Sequence, residues 1–362
     1  MMCKSDELSI GARVHLGLID LNGKSGWLYG GAGFSITEPC FKINIELISH
    51  SEWILTGFER EHSKLLAAIL EMLTKLYDLP VHKIDLVNGG IPIHSGLGST
   101  TGLLMGVTSY FLKLYGIEYT DLELAKITGR GGTSGIGVNL IKKKGFLVDE
   151  GHKITLTKKY VPSRYNVPAI SKALVRIDMP EWKVLVVLPK VENKIFGEKE
   201  KNIFEQECPI PQEEVENVRS IIYNDMISAI YKKCFYAFSE AVNNLQHVGF
   251  KKREWKWQSK HVFAAREFIN KAGFKCVALS SMGPSLIIVS DNDLNDMAEK
   301  MKPKDKTKHP NAKLDEEKFK KLLKKRLTIK EMAAILNVCE QTIFRHKKKL
   351  KSAQKRAVSS SI

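Results

Sequence analysis

The 362-residue chain reads as an α+β protein built in two halves and followed by a small all-helical tail. Three observations predict this. Segments of strand and helix character alternate without the regular βαβ rhythm that builds a doubly wound parallel sheet. A glycine-rich stretch, residues 88–102, joins a short strand to a helix. The charge is lopsided: residues 301–362 hold 19 Lys and Arg against 6 Asp and Glu, a net +13 of the chain's +16, so the basicity belongs to the tail. With 43% hydrophobic and 27% charged residues the chain supports a packed core, which excludes a disordered or fibrous class.

The elements follow in order. Apolar runs at Ala12–Ile19 and Phe41–Ile48 predict strands, and the i, i+3, i+4 spacing within Ser63–Leu76 predicts a helix. Ile84–Val87 predicts another strand. It runs into the glycine-rich stretch, and a helical pattern rich in Leu, Met and Tyr continues through Tyr115. Asp121–Thr128 predicts a short helix closed by Gly129, and Phe146–Val148 a strand. Residues 151–181 are polar and interrupted by prolines, and read as the crossing between the halves, placed at 1–160 and 161–300. The second half predicts a strand at Lys183–Leu188, helices at Glu213–Tyr231, Cys234–Leu245 and Lys260–Ala272, and strands at Cys276–Leu279 and Ser285–Val289. Residues 301–313, charged and broken by two prolines, predict a linker.

The tail predicts three short helices, Asp315–Lys325, Thr328–Leu336 and Glu340–Leu350, the second opening on Thr328 with Glu331 three residues on. The tight turn Asn337-Val338-Cys339 gives helix-turn-helix spacing over 314–351 and resembles the DNA-binding module of many prokaryotic regulators. Its third helix would offer Gln341, Thr342, Arg345 and His346 to base edges, with Lys348 and neighbouring lysines on phosphates. A helical protein-interaction domain with solvated lysines is the alternative. Residues 352–362 are expected to be disordered.

The opening residues lack an apolar segment of signal-peptide length, and no apolar run reaches membrane-spanning length, so a cytoplasmic protein without a membrane partner is expected. The six cysteines, Cys3, Cys40, Cys208, Cys234, Cys276 and Cys339, have neither zinc-ligand spacing nor a disulfide pattern.

The chemistry concentrates in Pro92-Ile-His-Ser-Gly-Leu97-Gly-Ser-Thr-Thr101. Gly96 and Gly98 permit backbone conformations closed to other residues, so several N–H groups can converge on one anion. Ser99, Thr100 and Thr101 stand at a helix start, where hydroxyls can cap the helix or bind phosphate oxygens or magnesium. The loop lacks a Walker lysine and is not G-x-G-x-x-G.

Pro-x-x-x-Gly-Leu-Gly-Ser-Thr resembles the signature loop of the GHMP kinase superfamily. Two further stretches resemble that superfamily's first and third motifs: Gly11-Ala-Arg-Val-His-Leu16 and Ser280-Ser-Met-Gly-Pro-Ser285. The resemblance spans roughly residues 8–300. It implies a ribosomal-S5-like N-terminal domain and a ferredoxin-like C-terminal domain. Within the superfamily, residues 13–23, Gly129-Arg-Gly-Gly-Thr-Ser-Gly-Ile-Gly-Val138 and Gly145-Phe-Leu-Val-Asp149 are similar to the β-ribofuranosylaminobenzene 5′-phosphate synthases. That family condenses phosphoribosyl pyrophosphate with 4-amino- or 4-hydroxybenzoate in methanopterin biosynthesis, losing CO2 and pyrophosphate.

The resemblance implies roles. Gly96, Gly98, Ser99 and Thr100 would hold diphosphate, Arg130 would neutralise it, and Asp20, with Ser99, would hold Mg2+ or face the ribose cation. Arg13, His15, Trp27, Ser134, Gly135, Ser281 and Gly283 would line the substrate pocket. For Arg13 a surface ion pair is the competing reading, and Asp149 reads as a turn residue. The family's Gly-Arg-x-Asp-Gly-Gly is here Gly26-Trp27-Leu28-Tyr29-Gly30-Gly31, aromatics replacing charges. Many superfamily kinases carry Ser-Gly-x-Asp, the Asp acting as base; here Ser134-Gly-Ile-Gly137 puts glycine there. Two other functions stay open: an ATP-dependent small-molecule kinase, and a metabolite-sensing DNA-binding regulator. A homodimer is compatible with each.

Overall fold

The computed structural model describes residues 6–295 except 89, 158 and 159, together with Phe319 and Met332. Apart from Phe319 and Met332, both helical, everything expected of the linker, the helix-turn-helix and the terminal residues, including Gln341, Thr342, Arg345, His346 and Lys348, lies outside the described residues. The α+β expectation holds for the body, and residues 1–296 form one compact unit.

Its frame is a long antiparallel hairpin, β1 (Asp6–Asp20) and β2 (Trp27–Leu47), in register from Asp6 opposite Ile45 to Asp20 opposite Tyr29. The sequence pattern predicted only parts of these strands. Residues 30–34 of β2, Gly-Gly-Ala-Gly-Phe, carry no apolar alternation and predict no element from the sequence; a Cβ at Gly33 would stand 2.3 Å from the Val14 carbonyl oxygen. Its glycine permits close strand approach and marks no turn. Beyond lie β3 (Ile54–Thr56), α1 (Arg60–Tyr77), β4 (His82–Leu86), α2 (Ser99–Leu114), α3 (Asp121–Thr128), α4 (Ile136–Lys142), β5 (Phe146–Asp149), β6 (His152–Lys153) and β7 (Ala173–Ile177). The far edge of β2 is shared by β4 at 43–47, β5 at 31–34 and β6 at 27–28, while β3 adds to β4 and β7 to β5. Because β7 completes this first sheet, the sheet continues past the expected boundary at 160 to residue 177.

Buried Leu66, Ile69, Leu70 and Leu73 on α1 follow helical spacing and meet Phe34, Phe41 and Phe111 in the main core. Each such side chain contributes about 1.5–3 kcal/mol. Along α2, Gly98, Gly102 and Gly106 face β1; a Cβ at Gly106 would stand 2.6 Å from Ile10 Cδ1.

The second half holds β8 (Lys183–Val187), α5 (Glu198–Glu207), α6 (Gln212–Ser220), α7 (Ile227–Tyr231), α8 (Phe235–Leu245), α9 (Gly249–Lys256), α10 (Lys260–Lys271), β9 (Cys276–Leu279) and β10 (Leu286–Ser290). A π-helical segment, Ile221–Met226, joins α6 to α7, so the long helix predicted there is continuous but locally widened. The strands form an antiparallel sheet in the order β8-β10-β9. Helices α6, α8 and α9 pack on β1, which thereby touches both halves. Among the described residues no helix is long and apolar enough to cross a membrane.

Candidate functional site

Strand β1 gathers the three motifs. Its pairing with β2 slips between Gly11 and Arg13 and again between His15 and Gly17. Such irregularities re-aim side chains and release backbone groups from the ladder. Those groups find partners elsewhere: Arg13 N donates to Leu97 O at 3.1 Å, His15 N to Ser280 Oγ at 3.1 Å, and Ser281 N to His15 O at 2.9 Å. The phosphate loop and the turn before β10 are thus bonded to the same short segment of β1, residues 13–15, and to each other.

The loop's glycines are dictated by these approaches. Gly96 has φ +81°, and a Cβ there would stand 2.2 Å from Ser280 O; Gly98 has φ +71°, and its Cβ would stand 2.7 Å from Arg13 Nε. Gly283, at φ +70°, likewise packs against Gln258. Gly98 caps α2 without a side-chain cap bond, so the first-turn N–H groups of α2 have no capping partner from the loop. Such a terminus attracts anions.

Beside Thr100 and Thr101 of that first turn opens a cavity of about 190 Å³. Three guanidiniums line it: Arg13, Arg130 and Arg164. Burial pushes both Arg13 and Arg130 down to about 10, so both stay charged at neutral pH. Arg13 donates to Gly96 O at 3.2 Å, yet the buried Nε atoms of Arg13 and Arg130 have no hydrogen-bond partner among the described residues. A buried charge with an unmet donor is costly, and an oxyanion would offset that cost. At the rim Glu61 pairs with Arg164 and with His94, each at 3.0 Å, and His94 stacks on Phe196 at 3.9 Å.

His15 lies deeper. Burial first, then Arg13 and Lys251, hold its imidazole well below the usual histidine range, so it is neutral. Its Nε2 sits 3.1 Å from Ser134 Oγ, and its Nδ1 is buried without a partner among the described residues. Ser281 and Met282 also line the cavity, as do Leu18, Phe204, Glu200 and Glu254. Glu254 forms a fully buried ion pair with Lys251. Glu200 is pushed up to about 7, first by burial and then by Glu254.

Of the residues expected in the site, the structure brings Arg13, His15, Thr100, Thr101, Arg130, Ser134 and Ser281 to this cavity. Gly96, Leu97, Gly98 and Gly283 do not line it; Leu97 and Gly96 accept from Arg13, Gly98 packs against Arg13, and Gly283 packs against Gln258. Pro92 and Ser99 do not line it. Gly135 donates its N–H to Asp149 Oδ2 at 3.2 Å, and buried Asp149, raised to about 7 by burial, also takes Ser171 and Gly151 N. Asp149 therefore fastens the Gly135 turn to the 149–151 turn.

Asp20 and Trp27 line a different cavity, with Tyr223 and Arg219. Asp20 Oδ1 accepts from Asn22 N and Gly23 N, and Oδ2 accepts from Ser25 Oγ and from Arg219 at 2.7 Å. Its lone pairs close the β1–β2 turn, so Asp20 and Ser99 do not form a pair of cation ligands. Among the described residues no group of three His, Cys, Asp or Glu could hold a metal. A magnesium ion at the arginine-lined cavity would have to be held without Asp20, whose oxygens are already engaged. Tyr29 is buried with its hydroxyl accepting from Val161 N, which makes it a packing residue.

Sequence reasoning missed Arg164, Glu200, Glu254 and Lys251. No motif marks them, and α5 and α9 gave no periodic signal strong enough to place them.

Comparison with known proteins follows the same division. The chain is 35% identical over 297 residues to β-ribofuranosylphenol 5′-phosphate synthase of Methanothermobacter thermautotrophicus, covering 79% of this chain and 89% of the relative. It is 34% identical to the protein of that name from Methanocaldococcus jannaschii, covering 78% and 89%. The chain belongs to the β-ribofuranosylphenol 5′-phosphate synthase family. Residues 63–140, from α1 through the phosphate loop to α4, match the GHMP kinases N terminal domain. Among solved structures the fold is similar to Methanococcus jannaschii mevalonate kinase, with a TM-score of 0.55 at 14% identity over 82% of this chain and 93% of that one. The domain match thus covers residues 63–140, and the likeness to the kinase is one of fold.

Proposed function

We propose that this chain condenses phosphoribosyl pyrophosphate with 4-amino- or 4-hydroxybenzoate, releasing CO2 and pyrophosphate, a step of methanopterin biosynthesis. The observation that carries the reading is the pair of buried guanidiniums, Arg13 and Arg130, beside the first turn of α2: their Nε atoms lack partners among the described residues. Phosphoryl groups would supply those partners. Gly137 gives the complementary support. A Cβ there would meet Thr101 Cγ2 at 3.2 Å and Arg13 Nε at 3.6 Å, so a kinase's aspartate would be set against Arg13; this chain supplies no carboxylate at that point.

In the proposed reaction the ribose C1–O bond breaks and its electron pair leaves with pyrophosphate, held by Arg13, Arg130 and the N–H groups of α2. The ring carbon that carries the carboxylate bonds to ribose C1. The ring-to-carboxylate bond then breaks, CO2 departs, and its electron pair restores the aromatic ring. Fixed positive charge aimed at the departing diphosphate lowers this barrier without reorganisation. His15, neutral and bonded to Ser134, offers a polar wall without adding charge.

The test offers the purified protein phosphoribosyl pyrophosphate with 4-hydroxybenzoate or 4-aminobenzoate, and separately ATP with candidate alcohols. Equimolar pyrophosphate and CO2, dependent on the benzoate, are expected. ADP formation, or no pyrophosphate with either acid, overturns the reading. For the basic tail we propose nucleic-acid binding. The full chain is expected to hold duplex DNA with affinity falling steeply between 50 and 200 mM salt, about tenfold or more, and K347Q/K348Q/K349Q to flatten that slope. Salt-independent binding, or none, refutes it.

A further inference from the structure

The cavity is lined by two chemically distinct sets of groups. One is cationic, with Arg13, Arg130 and the first turn of α2; the other is apolar and acidic, with Leu18, Phe204, Met282 and Glu200. The apolar set is held by packing: Ile203 and Phe204 of α5 are buried in a cluster with Leu18, Phe250 and Met282, and Phe204 packs on Phe250 at 4.6 Å. Glu200 and Phe204 are one helical turn apart and therefore share the face of α5 that looks into the cavity.

Three carboxyl groups line this space, and two are already matched. Glu61 is paired with Arg164 and His94, and Glu254 with Lys251. Glu200 has no hydrogen bond or ion pair with any other described residue. An unmatched carboxyl beside an aromatic side chain, in the same cavity as the phosphate-binding groups, has the chemistry to meet a proton-bearing group on an aromatic ring.

Resting on the reaction proposed above, we propose that Glu200 is the catalytic base toward the acceptor's para hydroxyl or amino group. The acceptor ring lies along Phe204 and Met282, with its carboxylate-bearing carbon toward the ribose and its para substituent toward Glu200. As that carbon bonds to ribose C1, the para O–H or N–H proton passes to the Glu200 carboxylate, and the freed electron pair offsets the ring's positive charge. When CO2 leaves and aromaticity returns, Glu200 gives the proton back, so no proton is gained or lost overall. The same contact sets specificity: an acceptor whose para oxygen carries a methyl group has no proton to transfer.

The charges facing Glu200 are consistent with a base near neutrality. Glu254 on α9 raises it, while Arg13 on β1 and Arg164 in the 163–165 segment lower it, and burial outweighs them. Arg130, His15, neutral, and Glu61 with His94 at the rim complete the titratable groups lining the cavity.

The experiment compares wild type, E200Q and E200D with 4-hydroxybenzoate and 4-methoxybenzoate, reading pyrophosphate release from pH 5.5 to 9 and equilibrium binding of each acid. In E200Q, kcat/KM for 4-hydroxybenzoate is expected to fall about 100-fold or more. The acid limb of its pH profile is expected to disappear, and KM for phosphoribosyl pyrophosphate to stay within about threefold. E200D is expected to restore part of the rate and the limb. Wild type is expected to bind 4-hydroxybenzoate at least about tenfold more tightly than 4-methoxybenzoate, a preference lost in E200Q. Retention of rate within threefold, persistence of the acid limb, or equal binding of the two acids by wild type overturns the role of Glu200. Selective binding without pyrophosphate release would instead overturn the reaction while leaving the ring contact in place.

Discussion

Introducing the missing kinase carboxylate should damage anion binding. Gly137 lies in the first turn of α4, where an aspartate is compatible with both the backbone and the helix dipole. A Cβ there would press the Thr101 methyl by a few tenths of an ångström and stand 3.6 Å from Arg13 Nε. The new carboxylate would reach that orphan donor and pair with it. G137D should therefore fold with unchanged or slightly raised Tm. Arg13 would then be occupied before any phosphate arrives. Losing one charge-assisted hydrogen bond costs about 1.5–3 kcal/mol, which is about 10- to 150-fold in affinity. Titration calorimetry with inorganic pyrophosphate should show this weakening, and the KM for phosphoribosyl pyrophosphate should rise in parallel. A folded G137D that binds pyrophosphate within twofold of wild type would refute the assignment of Arg13 to phosphate binding.

Four further outcomes are expected. In G96A the left-handed backbone alone costs about 1–2 kcal/mol, and the 2.2 Å approach to Ser280 O must also be relieved, so Tm should drop by about 4 °C or more, read by calorimetry. R130A should raise the KM for phosphoribosyl pyrophosphate about tenfold or more, whereas D20N should lower Tm and leave that KM within about threefold; the reverse pattern would return Asp20 to the catalytic cavity. K251M strands the buried Glu254 carboxylate and should cost about 3–5 kcal/mol in urea unfolding, with K251M/E254L recovering most of it. Glu200 rises from 4.5 to about 7 on folding, so its ionisation penalises the folded state progressively between those values and fully above 7. E200Q should therefore raise Tm over wild type at pH 8 and not at pH 4.5, and equal differences at both would show that Glu200 is not desolvated.

The outer elements of the fold were legible where periodicity is local. Ser63–Leu76 became α1, Asp121–Thr128 became α3 and Cys276–Leu279 became β9, because helix spacing and short apolar runs report one buried face. Strand β2 was legible only at its end. Its glycines carry no hydrophobic pattern, and what they accommodate is the Val14 backbone, which adjoins them only after folding. The boundary after residue 160 failed to anticipate β7 for a similar reason: a short, half-exposed strand has no signal apart from the sheet it joins.

By itself the sequence determined the phosphate loop, the two accompanying motifs and the absence of a carboxylate at Gly137. Those properties belong to residue types: glycine's freedom, hydroxyls at a helix start, and a side chain that is not there. Only the tertiary structure decided which charges meet. Asp20 sits seven residues from Arg13 in the same strand, yet its oxygens are taken by its own turn and by Arg219, while Arg13 is joined by Arg130, Arg164, Glu200 and Glu254 from four separate segments. Electrostatic and hydrogen-bonding partners act over a few ångströms of space and not along the chain, and here the two bulges in β1 and the anchoring of α5 set those distances.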